Sequence, residues 1–119
     1  KTVIIGATTN PSRYAYIAAQ MLKNHNIPFV PVGIRKGEVF GETIQDLRES
    51  PMVDDVHTVT LYLGPQNQEP YYEYILGLKP QRIIFNPGTE NDELIELAQK
   101  NGIETEEGCT LVMIRIGAF

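Results

Sequence analysis

The chain has 119 residues, enough for one compact domain with a real hydrophobic core and too few for two ordinary ones. At 42% hydrophobic and 21% charged it has the composition of a globular domain, not a disordered one. A net charge of -5 argues against general nucleic-acid binding, which needs a basic surface, but leaves room for a local anion site. The single cysteine, Cys109, excludes an internal disulfide and has no metal-ligand cluster around it, which favours a reducing compartment. No apolar run approaches the roughly 20 residues that cross a bilayer, and no signal-peptide pattern is visible. The expectation is a single cytoplasmic domain over residues 1–119 with no membrane or nucleic-acid partner.

In chain order, residues 2–5 form a short β-branched apolar run, as a strand buried on both faces should. Gly6 ends it. Asn10 as N-cap and Pro11 at the first helical position predict a helix whose apolar stripe is Tyr14, Ile17, Ala18, Met21 and Leu22. Residues 27–32 predict a second strand, with interrupted pairing because it contains Pro28 and Pro31. "GIRKGEVFGET" reads as loop and "TIQDL" as a short helical turn. Residues 56–63 predict strand three, which "GPQN" breaks. Pro70 opens a helix with Tyr71, Tyr74, Ile75 and Leu78 inward, stopped by Lys79 and Pro80.

Residues 82–85 predict strand four, ending at Asn86, Pro87 and Gly88. A third helix over residues 90–100 buries Leu94, Leu97 and Ala98, and Gly102 sits where a left-handed cap belongs. Residues 103–107 predict a fifth strand. "CTLVMIRI" fits either a strand or a closing helix capped near Thr110. Strands separated by helices imply right-handed parallel crossovers. The expected fold is α/β, a Rossmann-like three-layer α/β/α domain on a five-stranded, mainly parallel sheet.

In such folds ligands bind beyond the carboxyl ends of the strands, where the strand order reverses. Four loops should meet there: residues 6–13, 33–37, 63–66 and 86–88. The first carries only one glycine of the dinucleotide pattern G-x-G-x-x-G, Gly6, with Thr8 and Pro11 at the other two places. The amides at the start of the helix still make an anion site, and Thr8, Thr9, Ser12 and Arg13 add side-chain donors. After strand two, an NAD enzyme places an acid for the ribose hydroxyls. This chain has Gly33, Ile34, Arg35 and Lys36, and the two cations suit a ribose phosphate instead. NADP and coenzyme A both carry one.

These loops give the chain a resemblance to the small CoA-binding proteins, single domains related to the CoA-binding domain of the succinyl-CoA synthetase α subunit. It rests on "VIIGATTNPSRYAYIAAQML", "PFVPVGIRKGEVFGET", "TVTLYLGP", "RIIFNPGTENDELIELAQKNGI" and "EGCTLVM". Gly6, Ala7, Thr8, Asn10, Pro11 and Arg13 match the family's opening turn, Tyr16 its helix tyrosine and Gly41 a later glycine. Ala15 stands where the family often has serine, and Gly33 with Ile34 where it often has Asn-Pro. The resemblance implies pyrophosphate at residues 6–13 and a ribose phosphate facing Arg35 and Lys36. It further implies adenine or ribose against Leu63, Gly64 and Pro65, and pantetheine bordered by Asn86, Pro87 and Gly88. It brings no catalytic residue.

Chemistry is not expected from the residues either. Cys109 suits a nucleophile only if a helix start lowers its pKa, and packing alone accounts for it. His25 fits a helix carbonyl end, and His57 lies at the edge opposite the proposed site. Glu90, Asp92 and Glu93 need no cause beyond a helix dipole. The function expected is binding of coenzyme A or acyl-CoA as a non-catalytic sensor or carrier. The alternatives are an NADP-binding reductase domain and an interaction domain without ligand. The six tyrosines are compatible with a homodimer or an unidentified protein partner.

Overall fold

The computed structural model describes residues 1–119. In chain order the elements are β1 (Thr2–Ile5), α1 (Tyr14–Asn24), β2 (Phe29–Gly33), β3 (Glu38–Val39), β4 (Glu42–Thr43) and β5 (Gln45–Asp46). There follow β6 (Thr58–Leu61), α2 (Tyr72–Gly77), β7 (Arg82–Phe85), α3 (Asp92–Lys100), β8 (Glu104–Glu107) and α4 (Thr110–Arg115). The main sheet runs β5-β2-β1-β6-β7-β8, and every pairing in it is parallel. With only its own strands counted in chain order, this is the 3-2-1-4-5-6 arrangement of a Rossmann sheet.

β1 lies between β2 and β6, which is why its four residues are all buried and its sequence is unbroken apolar. On one face α1 and α4 cover Ile4, Ala7 and Phe29. On the other, Val3, Ile5, Val59, Leu61, Ile83 and Phe85 pack with Ile75, Leu94 and Ala98 of α2 and α3. The register sets Ile5 level with Val32 and Leu61, and Leu61 level with Phe85. Four strands therefore end at one height and release their loops on one side.

The sheet has six strands where five are expected. The extra one, β5, pairs with β2 at only two positions, Val32 with Gln45 and Gly33 with Asp46. It lies in "TIQDL", where the helical turn expected comes one step later, at Leu47–Glu49. Two paired residues leave no periodicity to read. Pro31 precedes the point where β5 begins to pair, so its missing N–H breaks no ladder there. Within the stretch read as loop, β3 and β4 form a hairpin whose two turn residues, Phe40 and Gly41, have φ of 49° and 88°. Phe40 packs against Tyr16, ring centroids 5.0 Å apart.

Other boundaries differ as well, chiefly at helix starts. Asn10 caps a turn, not the helix: its Oδ1 accepts from the N–H of Ser12 at 3.0 Å and the hydroxyl of Ser12 at 2.7 Å. Arg13 is extended and α1 begins at Tyr14, with Ala15, Ala18, Ala19 and Leu22 on its buried face. Tyr14, assigned to that face by spacing, is 70% exposed. The second helix is preceded by two 3₁₀ turns, Pro65–Asn67 and Glu69–Tyr71, and is α-helical only over Tyr72–Gly77. The ambiguous terminal segment is a helix, α4, with Leu111, Met113 and Ile114 buried. No helix is long and apolar enough to cross a membrane.

Candidate functional site

A cleft of about 630 Å³ opens over the carboxyl ends of β1, β2, β6 and β7. Its centre is the switch point between β1 and β6, where Gly6 meets Tyr62. Two close approaches make this geometry possible. A Cβ on Gly6, whose φ is 100°, would lie 3.1 Å from the Tyr62 carbonyl carbon, and one on Gly33 would lie 2.4 Å from the Ala7 carbonyl oxygen. The N–H groups of Gly6 and Ala7 both donate to the Val32 carbonyl, at 2.9 and 3.0 Å, so the first loop leaves the sheet tied to β2.

Along the first loop, Gly6, Ala7, Thr8, Thr9, Asn10 and Arg13 line the cleft, followed by Tyr14 and Ala15 at the start of α1. Pro11 and Ser12 are exposed on the outer crown of the turn and do not line it. The backbone N–H groups of Thr8, Thr9, Tyr14 and Ala15 donate to no protein acceptor. They are the orphan donors of a helix start and the loop before it, and all four residues line the cleft.

From the second loop, Ile34 and Arg35 line the cleft. Gly33 contributes its lack of a side chain, and Lys36 lies off the lining. Asp46 is held below the usual carboxylate range chiefly by the hydrogen bonds it accepts from Arg48, and the Lys36 charge adds to this. From the third loop come Tyr62, Leu63 and Gly64, while Pro65 begins a 3₁₀ turn outside the lining. From the fourth come Pro87, Gly88 and Thr89.

Asn86 is turned inward and 1% exposed. Its Nδ2 donates to Thr60 Oγ1 at 2.8 Å and to the Leu61 carbonyl at 2.9 Å, and its Oδ1 accepts the N–H of Thr110 at 2.9 Å. It joins the ends of β6 and β7 to the start of α4 beneath the cleft.

The cleft is cationic on an acidic chain. Arg13 and Arg35 line it, neither is salt-bridged, and no carboxylate shares the lining. No histidine or cysteine lines it either. His57 Nδ1 pairs with Thr58 Oγ1 at 2.7 Å, and His25 Nδ1 donates to the Met21 carbonyl at the end of α1, at 2.8 Å. Tyr62 forms part of the floor. Burial pushes its phenol up to about 12, and the neighbouring Thr60 and Thr110 hydroxyls offset part of that rise. Those two hydroxyls pair with each other at 2.7 Å, and the buried Tyr62 hydroxyl has no hydrogen bond of good geometry.

Sequence reasoning missed Tyr14, Ala15, Tyr62 and Thr89 as lining residues. Tyr14 was hidden by a helix start placed too early, and Tyr62 by a strand drawn two residues too long. Thr89 directly follows Gly88, and only the bend of the fourth loop turns it inward.

Among solved structures, a crystal structure of an uncharacterized protein is 58% identical, with a TM-score of 0.95 over 99% of this chain and 96% of that one. A protein from Thermus thermophilus is 21% identical with a TM-score of 0.87, covering 100% of this chain and 90% of that one. A hypothetical protein from Pyrococcus horikoshii OT3 is 24% identical with a TM-score of 0.78, covering 97% and 82%. At those identities the last two show the Rossmann-like fold alone. No curated protein matches the chain. The family model described as the CoA binding domain matches residues 1–115, and the chain belongs to that family.

Proposed function

We propose that the cleft holds coenzyme A or an acyl-CoA, as a sensor or carrier and not as a catalyst. The observation that carries this reading is the cationic lining: two unpaired arginines and a run of open amides, with no carboxylate, on a chain of net charge -5. A diphosphate takes the amides of Thr8, Thr9, Tyr14 and Ala15, with Arg13 beside them. Arg35, at the end of β2, takes the phosphate on the ribose. Leu63 and Gly64 border the ribose and the start of the pantetheine arm.

The arm runs along the opposite wall, which suits a neutral chain. That wall has no cation, and the N–H of Gly88 is already donated to Glu90 Oε1 at 2.8 Å. The lining offers no carboxylate, imidazole or thiol to act as base or nucleophile, which favours a holding role.

A thermal-shift panel tests the reading. CoA at a hundredfold excess over Kd should stabilise the protein by about 2.7 kcal/mol, and dephospho-CoA should bind more weakly. A response to NADP with none to CoA would favour the reductase reading, which Arg35 also suits. Silence toward both would favour an interaction domain without ligand.

A further inference from the structure

We propose that Gln68 is a positioning residue that sets the gap between the two loops bordering the neutral arm of the ligand. It lies in the turn before α2, is 0% exposed, and does not line the cleft. Its Nε2 donates to the Leu63 carbonyl and to the Thr89 carbonyl, both at 2.8 Å. Its Oε1 accepts from Asn91 Nδ2 at 2.9 Å. Both amide hydrogens are thus spent on the loops after β6 and β7, one on each side of the gap.

Asn91 anchors the arrangement. Its Oδ1 accepts from the N–H groups of Glu93 and Leu94 at 3.1 and 3.4 Å, capping α3, while its Nδ2 also reaches the Tyr72 hydroxyl at 2.7 Å. The spacing of Leu63 from Thr89 is therefore referred to the starts of α2 and α3. A primary amide is the side chain that can donate twice and accept once in this geometry. Glutamate cannot donate when ionised, and leucine leaves two carbonyls unpaired.

The inference rests on the CoA reading, and the test separates the two. Calorimetry compares CoA, which spans both walls, with adenosine 3′,5′-bisphosphate, which ends at the ribose beside Leu63 and Gly64 and does not reach the loop after β7. Gln68→Leu should weaken CoA about tenfold and leave the bisphosphate within about twofold. Should Gln68→Leu not fold, Asn91→Asp serves. It keeps the helix cap, removes the donor to Gln68, and should produce the same split at smaller size. Equal loss for both ligands, or no loss for CoA, overturns the positioning role. Wild-type protein that binds neither ligand overturns the CoA reading itself, and this inference with it.

Discussion

The two walls of the cleft are made from the same part, a glycine-bearing loop after a parallel strand, and they differ in how their polar groups are used. The wall after β1 and β2 keeps its donors open: the amides of Tyr14 and Ala15 have no protein partner and the guanidiniums of Arg13 and Arg35 are unpaired. The wall after β6 and β7 carries no cation: Gly88 N–H is bonded to Glu90, the Gln68 and Asn86 side chains are buried and engaged, and its open amides are those of Leu63 and Gly64. One wall can recognise a charged ligand. The other can hold a shape. A glycine after a strand therefore does not by itself make an anion site, and the charge and bonding of the neighbouring groups decide it.

The sharpest way to break this contrast is Asn86→Leu. Removing the amide leaves the Leu61 carbonyl and the Thr110 N–H without their buried partner, and should cost about 3 kcal/mol in denaturant unfolding. Wild-type stability would mean that the second wall is not braced from beneath. Next in size is Arg35→Ala. It should weaken CoA by about 10- to 100-fold in calorimetry, as loss of charge-assisted hydrogen bonds does, and barely change dephospho-CoA or the melting temperature. Lys36→Ala should do little, since Lys36 lies off the lining. If Lys36 matters as much as Arg35, the open wall extends past Arg35 to Lys36.

Gly33→Ala places a methyl 2.4 Å from the Ala7 carbonyl oxygen and should destabilise by about 1–3 kcal/mol while lowering CoA affinity, because the first two loops must separate. A variant as stable as wild type would show that the approach has slack. The smallest effect belongs to Tyr62→Phe, which removes a buried hydroxyl without a partner and should be neutral or stabilising by up to about 1 kcal/mol.

That variant also sharpens the alkaline behaviour. The Tyr62 phenol, raised by burial to about 12, favours the folded state in its neutral form. Its contribution is complete below the unfolded value near 10 and is lost as pH rises through about 12. Melting temperature should therefore fall less steeply above pH 10 in Tyr62→Phe than in wild type.

Much of the architecture was legible in the residues. The β-branched run at residues 2–5, the helix stripe expected over residues 90–100 and found over 92–100, and the glycine at 102 each carry a local signal strong enough to read alone. The four loops of the cleft followed from the parallel sheet. Side-chain direction did not. Asn86 looked like a lining residue because it stands next to Pro87 and Gly88, yet three buried hydrogen bonds turn it inward. Tyr14 looked like core because its spacing fits a stripe, yet the turn that Asn10 closes delays the helix and leaves Tyr14 on the cleft.

By itself the sequence determined the α/β class, the alternation that makes the sheet parallel, the end of the sheet where the cleft opens and the positive charge available there. Those depend on periodicity and on residues a few positions apart. Only the tertiary structure decided which donors stay open, which side chains brace the loops, and that a two-residue strand joins the edge of the sheet. Each of those depends on partners distant in the chain, such as Gln68 with Thr89 or Gly33 with Ala7, and no local pattern encodes a contact of that kind.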